Sequence, residues 1–116
     1  PVYVITPEFN SNNQMIFRDN LTPSIKNKHV LLLLASTTTG QTINRSLECI
    51  RYYGGTVTGI CSLFSAVDVI QGFPIVSAFT VRDIPGYQAF EFENCPFCKN
   101  GEKLDAFVNG YGYSKL

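Results

Sequence analysis

The feature that most constrains the fold is the segment HVLLLLA at residues 29–35, whose side chains are apolar without interruption from residue 30. Polar residues do not alternate with apolar ones here, as they would in a strand that has one face in water. Such a run is typical of a strand buried on both faces, as in the centre of a parallel sheet. We therefore predict a central strand at residues 29–35.

The residues that follow predict a strand–helix–strand unit. A polar loop at residues 36–42 precedes residues 43–53, in which apolar side chains recur at the spacing of one helix face. Gly54 and Gly55 then end the helix, and residues 56–64 and 74–81 are rich in strand-forming side chains. This order predicts an α/β fold with a mainly parallel sheet and a crossover helix.

Weaker patterns predict smaller elements near the two ends of the chain. Residues 2–6 and 14–18 contain many β-branched and aromatic residues, which favours a β-hairpin with a long tip. Residues 90–92 alternate like a short edge strand. The apolar spacing in residues 104–108 predicts a short C-terminal helix.

Length and composition exclude several classes of protein. A chain of 116 residues forms one domain, and nine basic residues against nine acidic ones give no net charge. A general nucleic-acid binder would carry a basic surplus, and the apolar segment at residues 30–35 is far too short to cross a bilayer. We expect no nucleic-acid or membrane partner, and a cytoplasmic location.

The loop at residues 36–42 is the best candidate for a functional site. The first backbone amides of a helix have no partner inside the helix, and together with the helix dipole they favour an anion such as phosphate. Threonine hydroxyls add donors, and Gly40 allows a close approach of the backbone to a ligand. The alternative is an ordinary turn in which Ser or Thr caps the helix without any ligand.

The segment VLLLLASTTTGQT at residues 30–42 resembles the phosphoribosyl-pyrophosphate (PRPP) signature of type I phosphoribosyltransferases. That signature has four apolar residues, two acids and a loop of the form T-T-G-x-T, which residues 38–42 match. The whole chain is similar to the C-terminal part of orotate phosphoribosyltransferase-like proteins, in which a hairpin precedes the signature strand. The resemblance implies that residues 1–116 form part of a type I phosphoribosyltransferase-like domain.

The resemblance also implies a ligand, a reaction and a partner. It places the 5′-phosphate of PRPP at Thr37, Thr38, Thr39, Gly40, Gln41 and Thr42. A pyrimidine base such as orotate would displace pyrophosphate from PRPP, with Mg²⁺ bridging pyrophosphate oxygens and Asp68 near the base. Because the family's N-terminal portion has no counterpart here, we expect that segment or a second copy of the chain, in a homodimer, as a partner.

Two departures from the family leave other functions open. The paired acids of the signature, which bind the ribose hydroxyls, align with Leu34 and Ala35, and residues 1–20 contain no lysine that could contact pyrophosphate. Two lost charge-assisted hydrogen bonds weaken binding by about 10²- to 10⁴-fold. The first alternative is therefore a non-catalytic regulatory module that binds PRPP or a nucleotide, and the second is a structural domain without a ligand.

The pair Cys95 and Cys98, in the segment CPFC, has a spacing found in several kinds of site. Two cysteines supply half of a tetrahedral zinc site, which a second chain would complete, and the same spacing occurs in redox pairs. Cys49 falls within the predicted helix and Cys61 within a predicted strand, so neither extends the cluster. We expect a tight turn with reduced thiols at residues 95–98, and no zinc.

Overall fold

A sheet of four strands, covered on one face by a helix, forms the centre of the protein. The structure is a computed structural model, and it describes residues 1–12 and 14–116. Along the chain the elements are β1 (Glu8–Phe9), β2 (Met15–Ile16), β3 (His29–Thr37), α1 (Gln41–Tyr52), β4 (Thr56–Ser65), β5 (Val69–Ile70), β6 (Phe73–Thr80), α2 (Pro96–Lys99), β7 (Ala106–Asn109) and β8 (Gly112–Lys115). None of the described helices is long and apolar enough to cross a membrane.

The central sheet has the strand order β3-β4-β6-β5 and is mixed. Strands β3, β4 and β6 run parallel, whereas β5 pairs antiparallel with β6. Leu32 of β3 lies opposite Ile60 of β4, which in turn lies opposite Ile75 of β6. The predicted α/β class, the three longer strands and the helix between the first two are confirmed.

The core lies between α1 and one face of this sheet. Ile43 and Leu47 of α1 are almost completely buried and pack with Ile60 and Ile70. Ser46 is also fully buried, and its hydroxyl donates a hydrogen bond to the backbone carbonyl of Thr42 at 2.7 Å. This packing holds the first turn of α1 firmly against the sheet.

The prediction that β3 is a central strand, buried on both faces, is wrong. It lies at the edge of the sheet, and Leu31 and Leu33 are 54% and 66% exposed. Parallel strands are usually joined by about a dozen residues or more, often including a helix, but residues 66–72 join β4 to β6 without one. The face opposite α1, which we call the open face, exposes apolar side chains: Leu31, Leu33, Leu63 and Val76.

The N-terminal hairpin is shorter than predicted. Residues 2–6 form no strand, and Val2 and Val4 are exposed; the pairing is between β1 and β2 instead. The side-chain oxygen of Asn10 accepts hydrogen bonds from backbone amides two and four residues later, which fixes a tight turn. Residue 13, part of the predicted tip, lies outside the described residues.

The predicted strand at residues 90–92 and the predicted helix at residues 104–108 are both wrong. Residues 90–92 form no strand, and a 3₁₀ turn begins at the last of them, over Phe92–Asn94. Residues 104–108 form no helix, because β7 pairs with β8 in an antiparallel hairpin. The side chain of Asn109 accepts a hydrogen bond from the amide of Tyr111, and Gly112 has a φ of 127°, so a turn forms where the predicted helix would end.

Candidate functional site

A cavity of about 230 Å³ lies where β3 ends and α1 begins. Since β3 extends to Thr37 and α1 starts at Gln41, the loop between them is only residues 38–40. Residues 36–43 line the cavity. The structure thus brings together the six residues that the resemblance assigns to the phosphate: Thr37, Thr38, Thr39, Gly40, Gln41 and Thr42.

Backbone donors around this cavity are unpaired. Among the hydrogen bonds of the described residues, none is donated by a backbone N–H of residues 38–43. The next amide, that of Asn44, donates to the carbonyl of Gly40 at 3.0 Å and starts the helical pattern. Unpaired amides at the start of a helix are the groups that bind anions in proteins.

Gly40 sets the path of the loop into α1. It occupies the position that caps the helix, with φ of 84° and ψ of 2°, and no side chain caps the helix there. The left-handed backbone favours glycine. The ordinary capped turn, in which a Ser or Thr hydroxyl satisfies the first amides, is therefore not the arrangement at α1.

Thr37, the last residue of β3, carries a buried hydroxyl that lacks a partner. The residue is 4% exposed, and its Oγ1 forms no hydrogen bond with any described group. Its backbone carbonyl accepts a hydrogen bond from Ala66 at 2.8 Å, so the main chain is held in place. A buried hydroxyl without a partner costs about 1–3 kcal/mol, so in a native protein such a group calls for an explanation such as strain, a functional role, or a bound water or ion.

The electrostatics of the cavity rest on dipoles rather than charged side chains. Its lining residues are Ser, Thr, Gly, Gln and Ile, none of which is ionised. Two charged residues belong to its surroundings and not to its lining: Arg45 is the fifth residue of α1, and Glu91 accepts a hydrogen bond from Nε2 of Gln41 at 3.0 Å. Amides and hydroxyls would therefore make the direct contacts with an anion.

A second cavity, of about 370 Å³, adjoins the first, and Thr38 lines both. Its other walls are Ala66, Val81, Tyr87, Gln88, Ala89 and Phe90. The ring of Tyr87 packs edge-on against Phe64 of β4, with 5.0 Å between ring centroids. The sequence analysis did not predict this cavity. The signal in the sequence was two aromatic residues after β6, Tyr87 and Phe90, which line the cavity.

Three further residues from the sequence analysis do not contribute ligand-binding side chains to the loop cavity: Asp68, Leu34 and Ala35. Asp68 is exposed between β4 and β5 and lines neither cavity, so its role near a base stays a prediction. Leu34 is half-buried against the core, whereas Ala35 is exposed. Within residues 1–12 and 14–116, no three His, Cys, Asp or Glu side chains cluster as metal ligands would.

Comparison with known protein families and with curated proteins found no match: no family model matches the chain, and no curated protein matches it significantly. The function of the loop is therefore inferred from its unpaired donors, its cavity and the resemblance of residues 30–42 to the PRPP signature.

Proposed function

We propose that this chain is a phosphoribosyltransferase-like domain whose residues 36–43 bind the 5′-phosphate of PRPP or of a nucleotide. The observation that carries the proposal is the set of unpaired amides at residues 38–43 around one cavity. Phosphate oxygens accept hydrogen bonds from such amides, and the positive end of the helix dipole attracts their charge.

The size and lining of the cavity support this ligand. A water molecule takes about 30 Å³ in the liquid, so a cavity of about 230 Å³ has room for the five non-hydrogen atoms of a phosphate group. Threonine hydroxyls stand among the amides, and the Thr37 hydroxyl is buried without a partner. The adjoining second cavity leaves space beside Thr38 for the rest of a phosphate ester.

Transfer of ribose 5-phosphate from PRPP to a pyrimidine base such as orotate is the reaction that the resemblance implies. In that reaction a base nitrogen displaces pyrophosphate, and this loop would hold the 5′-phosphate of the ribose in place. The loop itself does not fit a magnesium site, because its lining residues include no carboxylate. Asp68 is the proposed residue on the side of the base.

Binding of PRPP or a nucleotide without transfer is the second candidate, and one observation favours it. Leu34 and Ala35 stand where the family has its two acids, and Leu34 packs its side chain against the core. Neither side chain accepts a hydrogen bond from a ribose hydroxyl. The loop would then serve a regulatory module that recognises the phosphate but does not move the ribose.

Titration of the protein with PRPP, followed by thermal unfolding and calorimetry, tests the shared part of both candidates. We expect PRPP and ribose 5-phosphate to stabilise the protein, and ribose without phosphate to have no effect. No stabilisation at millimolar PRPP would leave the structural domain without a ligand as the better description. Formation of orotidine monophosphate from orotate and PRPP then separates transfer from binding alone.

The proposed domain packs its open face against a partner, either the N-terminal segment of the family or a second copy in a homodimer. Exposed Leu31, Leu33, Leu63 and Val76 are the surface that such a partner would cover. Light scattering on this chain distinguishes the two, because a homodimer doubles the mass and a requirement for the N-terminal segment leaves a monomer.

A further inference from the structure

The Cys95–Cys98 segment has a geometry that the phosphate loop does not explain. Cys95 immediately precedes α2, and its sulfur accepts a hydrogen bond from the backbone amide of Cys98 at 3.5 Å. The sulfur of Cys95 therefore lies beside the backbone from which the second cysteine side chain projects. Both cysteines are free thiols, and residues 96–99 form the single helical turn α2.

The surrounding backbone fixes this arrangement. Within the short helix, the amide of Lys99 donates to the carbonyl of Cys95 at 3.1 Å. After it, the amide of Gly101 donates to the carbonyl of Cys98, and Gly101 takes a φ of 71°. The ring of Phe97 packs against Phe90, with 6.1 Å between centroids. The two sulfurs are thus held on one turn while their side chains stay accessible.

The two thiols differ in acidity. Hydrogen bonds from the backbone amide and the thiol of Cys98 to the sulfur of Cys95 lower the pKa of the Cys95 thiol. Desolvation and, less strongly, the carboxylate of Glu102 oppose the shift. The hydrogen bond to Cys95 raises the pKa of the Cys98 thiol in turn. A thiolate is the nucleophile in thiol chemistry, so the lowered pKa favours Cys95 as the attacking thiol.

The other cysteines show what a structural thiol looks like in this chain. Cys49 is buried in α1, donates a hydrogen bond to the carbonyl of Met15 at 3.2 Å, and has a pKa raised by burial. Cys61 is half-buried in the middle of β4. Neither belongs to a pair, whereas Cys95 and Cys98 share a hydrogen-bonded turn.

We propose that Cys95 and Cys98 are a redox-active dithiol that forms an intramolecular disulfide by exchange with a low-molecular-weight disulfide such as oxidised glutathione. The Cys95 thiolate attacks one sulfur of the external disulfide; a new S–S bond forms, the old one breaks, and one glutathione thiolate leaves. Cys98 then loses its proton to water and attacks the sulfur of Cys95, which releases the second glutathione. Two electrons pass from the cysteines to the external disulfide.

Local geometry is compatible with the bond that the exchange forms. A disulfide requires Cα atoms about 4.4–6.8 Å apart, a separation that residues three positions apart on one turn satisfy. A metal site is the competing use of the pair, but two thiolates supply half of a tetrahedral zinc shell. In the part of the chain that the structure describes, no third His, Cys, Asp or Glu side chain groups with them as a metal ligand would.

Mass spectrometry after exchange tests the proposal on the full chain. Reduced protein is incubated with oxidised glutathione at neutral pH, quenched with iodoacetamide and digested with trypsin. Cleavage after Arg82 and Lys99 gives one peptide, residues 83–99, that holds both cysteines, while Cys49 and Cys61 fall in other peptides and serve as internal controls. In the wild-type chain we expect this peptide to lose two hydrogen atoms and to escape alkylation.

Two single variants assign the roles. Cys98→Ser is expected to trap glutathione on Cys95, whereas Cys95→Ser takes up glutathione on Cys98 several-fold more slowly. Equal rates in the two variants, or a wild-type peptide that stays alkylated at both cysteines, would overturn the proposal. The same alkylation is repeated on the reduced chain with zinc chloride added. If zinc protects both thiols and two chains associate, the pair is a metal site and the proposal is overturned.

Discussion

Gly40 and Ile70 lie so close that any side chain at residue 40 would collide with Cδ1 of the isoleucine. Ile70 is 8% exposed and belongs to the core cluster, so it has little freedom to move away. Ile70 belongs to β5, at the opposite edge of the sheet from β3, and it packs against the residue that precedes α1 and the proposed phosphate site. This relationship makes residue 40 a sensitive test of the loop.

The variant Gly40→Ala should disrupt the loop more than backbone strain alone does. A non-glycine residue in the left-handed region costs about 1–2 kcal/mol, and contact with Ile70 adds to that cost. Gly72→Ala is a matched control, since Gly72 has a φ of 79° and nothing within 4 Å of the added atom. Urea denaturation should show the larger loss for Gly40→Ala, and calorimetry should show loss of phosphate binding for that variant alone. Unchanged binding in Gly40→Ala would place the phosphate elsewhere.

Replacing Thr37 with valine should move stability and binding in opposite directions. The substitution removes a buried hydroxyl that has no partner, so we expect the free protein to gain about 1 kcal/mol or more in free energy of unfolding. A bound phosphate would lose one hydrogen bond, which weakens its affinity by about tenfold when the acceptor is charged. Thr39→Val, at an exposed position, is the control for stability. A destabilised Thr37→Val protein would mean that the hydroxyl already has a partner.

Sequence patterns predicted the strand–helix–strand unit because they depend on local spacing. The apolar spacing of α1 and the unbroken apolar run of β3 are properties of neighbouring residues. An apolar run alone does not reveal how many of its faces are covered, and the exposed Leu31 and Leu33 follow from the arrangement of other elements. The failed helix at residues 104–108 rested on three apolar residues, whose spacing a solvated hairpin can also produce.

The candidate site also has features that the local sequence predicts and features that it does not. Threonine and glycine after a strand marked the loop at residues 36–42, because the residue types themselves supply donors and a permissive backbone. Burial of Thr37 and the cavity lined by Thr38, Tyr87 and Phe90 depend on segments that are distant in sequence. The opposite pKa shifts of the Cys95 and Cys98 thiols likewise depend on the hydrogen bonds that each sulfur forms in the folded chain.

Restoring an acid at residue 35 tests whether a ribose lies where the family places it. Ala35 is exposed, so Ala35→Asp should leave the free energy of unfolding nearly unchanged. If the ribose hydroxyls lie beside this residue, one charge-assisted hydrogen bond should tighten PRPP binding by about tenfold. Inorganic phosphate is the control ligand, because it lacks the ribose and should bind no better. Leu34→Glu is not a suitable second variant, because Leu34 packs against the core and a buried carboxylate there would destabilise the protein.

The rate of alkylation of Cys95 should depend on pH in a way that separates its two hydrogen bonds. Because the lowered pKa keeps the Cys95 thiol ionised at lower pH than an ordinary cysteine, iodoacetamide should label it at pH values where Cys98 still reacts slowly. The backbone amide of residue 98 is the largest cause of that shift and survives in Cys98→Ser. The variant should therefore retain most of the low-pH reactivity of Cys95. A pH profile in Cys98→Ser equal to that of an unfolded peptide spanning residues 83–99 would show that the amide does not stabilise the thiolate.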